Sequence, residues 1–189
     1  MAERLPVVIL LDHVRSMYNV GAFFRTADAV RLERLVLCGI TAHPPQDGIT
    51  KTALGAEQSV PWEYHTDALV ALRILRARGY QLAAIETGDP AEDLFDWQPR
   101  WPVYVVFGNE VDGLGDGLIA ECDTRVRLPM FGEKNSLNVA TAGGIVAYEL
   151  LRKHRLGNTE AQPRELARVS PPAQPLARPA RQHKKAEER

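Results

Sequence analysis

Cysteine is scarce: Cys38 and Cys122 stand alone, with no CxxC pair and no histidine at ligand spacing. Neither a disulfide framework nor a metal site is suggested, and both thiols are expected to be free and buried. Long apolar runs are missing too, as is a basic start followed by an apolar stretch. The expectation is a soluble, cytoplasmic chain with no membrane partner. No internal repeat competes with a single-domain reading. The phosphate-binding signatures also fail. Gly108-Asn-Glu-Val-Asp-Gly-Leu-Gly115 is glycine-rich, yet it has neither the GxGxxG nor the GxxxxGK[ST] order and carries two acids. A Rossmann dehydrogenase or P-loop NTPase therefore fits poorly, and a neutral or cationic ligand held by backbone groups fits better. His13, His43 and His65 show no arrangement with a nucleophile, which leaves a Ser/His hydrolase little support.

An excess of one charge is also lacking, but the net −1 hides an asymmetry. Residues 1–151 hold 13 Lys and Arg against 20 Asp and Glu, a balance of −7, and residues 152–189 hold 10 against 4, a balance of +6. The proline-rich segment 157–189 is expected to be a disordered basic tail, read either as an arm for an anionic polymer or as a solubilising extension. Residues 1–156 form the expected domain, and 45% hydrophobic content suffices for its core.

Leu5–Leu11 is a continuous apolar run of the kind that makes a strand buried on both faces. Asn19 can cap a helix through Val30, with Val20, Phe23, Phe24, Ala27 and Val30 at helical spacing and Arg25 off that stripe. Further strands are expected at Leu35–Cys38, Gln81–Ile85, Val103–Phe107 and Arg125–Leu128. Helices are expected at Thr66–Arg78 and near Gly117–Glu121, with a short helical segment at Thr50–Glu57. Strands alternating with helices argue for an α/β fold with a mostly parallel sheet and helices on both faces. In such sheets ligands sit outside the carboxyl ends of the strands. Three glycine-bearing polar loops qualify: Glu86–Asp89, Gly108–Gly115 and Pro129–Asn138.

The last of these loops opens a small-residue helix. Ser136 or Asn138 is placed to cap it, and Ala140, Ala142, Gly143, Gly144 and Ala147 let another backbone or a flat ligand come close. Two glycines in a helix interior cost about 2 kcal/mol against alanine, which makes them expensive as filler.

Three segments together resemble the SpoU/TrmH branch of the SPOUT superfamily of RNA methyltransferases. They are Asn19-x-Gly21-x-x-x-Arg25, Phe107-Gly-Asn-Glu110-x-x-Gly113-Leu114, and Leu128-Pro-Met130 running through Ser136-Leu-Asn-Val139. The resemblance spans about residues 5–155 and implies a sheet whose C-terminal part is threaded into a deep trefoil knot. It also implies an S-adenosyl-L-methionine pocket made by that knot, and a homodimer with the catalytic site built across the interface. Several relatives carry an N-terminal RNA-binding domain. This chain starts almost at its first strand, as the minimal tRNA-modifying members do.

The resemblance further implies transfer of a methyl group to a ribose 2′-hydroxyl of tRNA or rRNA. Arg25 matches the arginine that assists deprotonation, Asn19 its supporting asparagine, and Glu110, Ser136 and Asn138 the other polar positions around donor and acceptor. Glu86, Thr87, Gly88, Phe107, Gly108, Asn109, Leu128, Met130, Ser136, Leu137 and Asn138 are the expected cofactor residues, and Arg15, Arg25, Arg31 and Lys51 the expected RNA contacts. An arginine stays charged at neutral pH, so Arg25 suits an electrostatic stabiliser or a phosphate-linked helper better than a simple base. Taken singly, Asn19 reads better as a helix cap and Arg25 as a solvated ion pair with Asp28 or Asp12. The alternative for the whole chain is a non-catalytic RNA-binding or assembly protein that keeps the fold.

Overall fold

The computed structural model describes residues 3–158. Its architecture follows from the first strand, β1 at Leu5–Asp12, where side-chain direction alternates. Val7, Ile9 and Leu11 enter one buried cluster, and Val8 and Leu10 enter another on the opposite face. A strand buried in this way needs cover on both sides.

The cover on one face is α1 (Met17–Ala29), α2 (Asp47–Ala53), α3 (Ala56–Ser59) and α6 (Val139–Asn158), which contribute Phe23, Phe24, Ile49, Ala53, Val146 and Leu150. The other face carries α4 (Ala68–Ala77) and α5 (Asp116–Ala120), through Ala71, Leu72, Leu75 and Leu118. The remaining strands are β2 (Leu32–Cys38), β3 (Trp62–His65), β4 (Gln81–Ile85), β5 (Glu92–Asp93), β6 (Val103–Phe107) and β7 (Thr124–Arg127). All pair in parallel, in the order β3-β2-β1-β6-β4-β7-β5. The central β6 is buried at every residue, as a parallel strand between two helical layers must be.

This is the expected α/β sheet with some local differences. The N-cap of α1 is Ser16, whose hydroxyl accepts from Asn19 N–H at 3.3 Å, so Asn19 sits inside the helix instead of capping it. The segment at Thr50–Glu57 divides into two short helices at Leu54 and Gly55, both left-handed. Between the two candidates for opening α6, Asn138 does so: its Oδ1 accepts from Ala140 N–H (3.0 Å) and Thr141 N–H (3.2 Å). Gly143 has the reason expected for a small residue, because a Cβ there would run into the Phe23 ring of α1. Gly144 has no such neighbour; its nearest is Thr26 Oγ1 at 4.0 Å. Both thiols are free, Cys38 buried and Cys122 half-buried.

The end of α6 is fastened by Lys153, whose Nζ donates to the carbonyls of Leu94 (2.8 Å), Phe95 (3.2 Å) and Trp97 and lies 3.6 Å from Glu149. Among the described residues no helix is long and apolar enough to cross a membrane. The basic arm expected over 157–189 lies outside the described residues, apart from Gly157 and Asn158, which finish α6.

Candidate active site at the carboxyl ends of the strands

Strands β4, β6 and β7 all end at one side of the sheet, and the three loops that leave them enclose a cavity of about 480 Å³. Ile85, Glu86 and Thr87 come from the first loop, Phe107 to Val111 and Gly113 from the second, and Leu128, Met130 and Asn135 to Val139 from the third. Ten of the expected cofactor residues are therefore neighbours; Gly88 is the exception and lies outside the lining. Ile85, Val111 and Asn135 also line the cavity, as do Gly113, Val139 and Ala142, which the motifs and the small-residue helix named without a cofactor role.

Close backbone approach shapes the second loop. A Cβ on Gly108 would collide with the backbone of Gly113 and Leu114, so only glycine fits while the loop folds back on itself. Asn109 Oδ1 accepts from Val111 N–H (2.7 Å) and Asp112 N–H (2.8 Å), closing the turn, and Gly113 takes a left-handed φ of 69°. Glu86 braces the fold-back: Leu114 N–H donates to its Oε1 at 2.6 Å, which joins the first two loops.

Polar side chains meet where α1 and α6 start. Asn138 Nδ2 donates to Asn19 Oδ1 (3.1 Å), and Asn19 Nδ2 donates to Glu110 Oε1 (2.7 Å). Arg15 N–H lies 3.4 Å from Glu110 Oε2. Burial raises the Glu110 pKa, but the Asn19 amide and the backbone N–H groups of Glu110, Arg15 and Ser16 outweigh it and hold the carboxyl below its ordinary 4.5. Three residues far apart in sequence thus form one chain of hydrogen bonds beside the cavity, with Glu110 as a carboxylate at its end.

The other expected residues scatter. Ser136 is on the cavity wall, exposed. Arg25 does not reach this cavity; it borders a second one of about 490 Å³, with Asp28, Ala29, Ala53, Leu54, Gly55, Ala56 and Ser59. It makes no ion pair with Asp28 or Asp12 among the described residues: Asp28 accepts from the Ser59 hydroxyl (2.7 Å), and Asp12 faces His13 Nδ1 (2.7 Å). Lys51 is exposed on α2. Arg31 precedes β2, and its carbonyl accepts from Leu5 N–H at the start of β1, so it stands at the amino ends of the strands, opposite the cavity.

A parallel α/β sheet covered by helices on both faces, with a cavity at the carboxyl ends of its strands, is the architecture in which ligands sit at that edge. Residues 6–148 match the model of the SpoU rRNA Methylase family, and the chain belongs to that family. Among curated relatives, the 23S rRNA (guanosine-2'-O-)-methyltransferase RlmB of Ralstonia nicotianae is 34% identical over 152 residues, covering 80% of this chain and 60% of its own length. An AdoMet-bound rRNA methyltransferase from Sinorhizobium meliloti superposes with a TM-score of 0.73 at 28% identity, over 80% of this chain and 61% of that one. The SpoU methyltransferase AviRb from Streptomyces viridochromogenes, in complex with AdoMet, gives 0.72 at 26% identity, over 82% and 60%. The chain spans about three fifths of the length of the curated relatives it matches.

Proposed function

We propose that this chain is an S-adenosyl-L-methionine-dependent RNA methyltransferase acting on a ribose 2′-hydroxyl of tRNA or rRNA. The observation that carries the reading is the cavity at the carboxyl ends of β4, β6 and β7, with the Asn138–Asn19–Glu110 chain at its side. Its volume suits a nucleoside-sized ligand, its walls mix apolar side chains with polar ones, and Gly108 lets the second loop fold back on itself to form one of them. Gly108, Asn109, Leu128, Met130 and Leu137 would hold the cofactor, which when bound supplies a methyl group on a sulfonium.

The protein's own share is position and charge. Glu110 and the two asparagines, held by one another, offer acceptors and donors to a ribose. Arg25 supplies a permanent cation for the oxygen that loses its proton or for a neighbouring phosphate. Because Arg25 borders a different cavity in its own subunit, we assign it to the site of a partner copy in a homodimer. Exposed Tyr18 on α1 and exposed Ile145 and Tyr148 on the adjacent α6 are apolar groups suited to that contact. The deep trefoil knot belongs to the same proposal: β6 is inserted between β1 and β4, and β7 between β4 and β5, and the chain then crosses the strand ends to pack α6 on α1. The compartment is taken as the cytoplasm, and residues 157–189, with 7 Lys and Arg against 4 Glu, as an RNA arm.

The test is tritium transfer from labelled cofactor to total RNA of a strain lacking the protein, followed by mapping of the modified nucleotide. Label at a ribose 2′-oxygen is the expected result. RNA that binds but takes no label would favour a non-catalytic RNA-binding protein.

A further inference from the structure

The third loop leaves the cavity wall at Met130 and returns to it at Asn135. The four residues between them, Phe131-Gly-Glu-Lys134, are all exposed, and Phe131 is exposed to 95%. A free aromatic ring is costly to leave in water, and this one belongs to an excursion that begins and ends on the cavity wall. Its loop neighbours Gly132, Glu133, Lys134 and Asn135 are polar or small, so its own excursion holds no apolar group to cover it. Val111, 77% exposed, stands on the rim from the second loop.

Cations border the same mouth. Lys134 shares the excursion with Phe131, and Arg15 has its backbone N–H 3.4 Å from the Glu110 carboxylate. Among the described residues neither side chain makes an ion pair, while Glu110, which the Arg15 backbone N–H approaches, is engaged by Asn19. An exposed ring beside uncommitted cations is how proteins hold single-stranded nucleic acid: cations follow the phosphates and the ring stacks a base.

We infer that Phe131 is a stacking platform for the base of the nucleotide whose ribose enters the cavity, with Lys134 and Arg15 on the flanking phosphates. The inference rests on the RNA methyltransferase reading and adds the element that holds the acceptor base. Stacking accepts any base because each has a π-face, so the platform fixes the position of the nucleotide and leaves its identity to other contacts.

The test uses the full chain saturated with S-adenosyl-L-methionine, and seven-nucleotide oligoadenylate against an abasic ribose-phosphate oligomer of equal length and charge. Wild type should bind the base-bearing oligomer at least about fivefold more tightly, the low end for one stacked base. Phe131→Ala should lose that preference and keep its affinity for the abasic oligomer, and Phe131→Trp should restore it, with indole quenching beyond that of wild type by oligoadenylate alone. A base preference retained in Phe131→Ala overturns the inference. So does weakened cofactor binding in that variant by calorimetry, which would give the ring to the cofactor. A shift from dimer to monomer in sedimentation would give it to a contact between copies and overturns the inference equally. Tritium transfer by the wild type separates the two claims: label without a base effect removes only the platform, and no label on any RNA removes the methyltransferase reading while the binding comparison still reads Phe131.

Discussion

The two cavities are nearly equal in volume, about 480 and 490 Å³, but they are built from different material. The first is walled by loops braced on one another, with Glu86 joining two of them and Asn109 closing a turn. The second is a groove between helices whose lining includes one cation, Arg25, held by nothing among the described residues. The braced cavity is suited to a ligand of fixed shape, and the loose cation to a charge that arrives with the substrate. Cofactor affinity and transfer rate should therefore respond to different residues.

The largest separation is expected from Arg25→Ala. Transfer should fall about a hundredfold or more, as it does when one group stabilising a developing charge is removed, while calorimetry finds cofactor affinity unchanged. Equal losses in both would mean that Arg25 helps to build the first cavity. Gly108→Ala is the converse: its Cβ meets the Gly113 backbone, so cofactor affinity should fall about tenfold through overpacking. Mixing the Arg25→Ala subunit with Gly108→Leu tests whether the two halves meet across copies. Random pairing should return about a quarter of wild-type activity, because a mixed twofold dimer keeps one intact site. No recovery would place the whole site in one chain.

How far the site could be read from the chain depended on how local each signal was. The long buried strands announced themselves by apolar runs, and Gln81–Ile85 and Val103–Phe107 have the expected bounds. Strand β3 escaped because Trp62-Glu-Tyr-His65 is short and polar at an edge, and β5 because it has two residues. Ser16 and Asn19 both have capping side chains; the choice between them rested on Glu110, 91 positions from Asn19. Arg15 and Arg31 looked alike, yet thirteen residues of α1 at about 1.5 Å each carry the chain from one end of the sheet to the other. That distance separates one arginine from the cavity and leaves the other beside it.

Glu110→Gln gives a smaller and pH-dependent effect. A carboxyl whose folded pKa is depressed adds stability that is present above its unfolded value, near 4.5, and lost as pH falls through the folded value. Thermal melts should thus favour wild type at pH 7, and the gap should close below about pH 4.5. A gap that persists in acid would assign the effect to shape and not charge. The smallest effect is expected from Arg31→Ala, with RNA affinity within about twofold of wild type because the residue sits a full strand length from the cavity.

The hydrogen-bond chain beside the cavity has a direction. Asn138 must present Nδ2 to Asn19 because its oxygen is committed to the start of α6, and Asn19 must then present its own Nδ2 to Glu110. A proton placed on Glu110 Oε1 would meet a donor, and relief would require the Asn19 amide to turn over. Its nitrogen would then face the nitrogen of Asn138, whose only remedy is to release two N–H groups of the helix. The carboxylate and the first turn of the C-terminal helix thus hold the same two amides in one orientation from opposite ends.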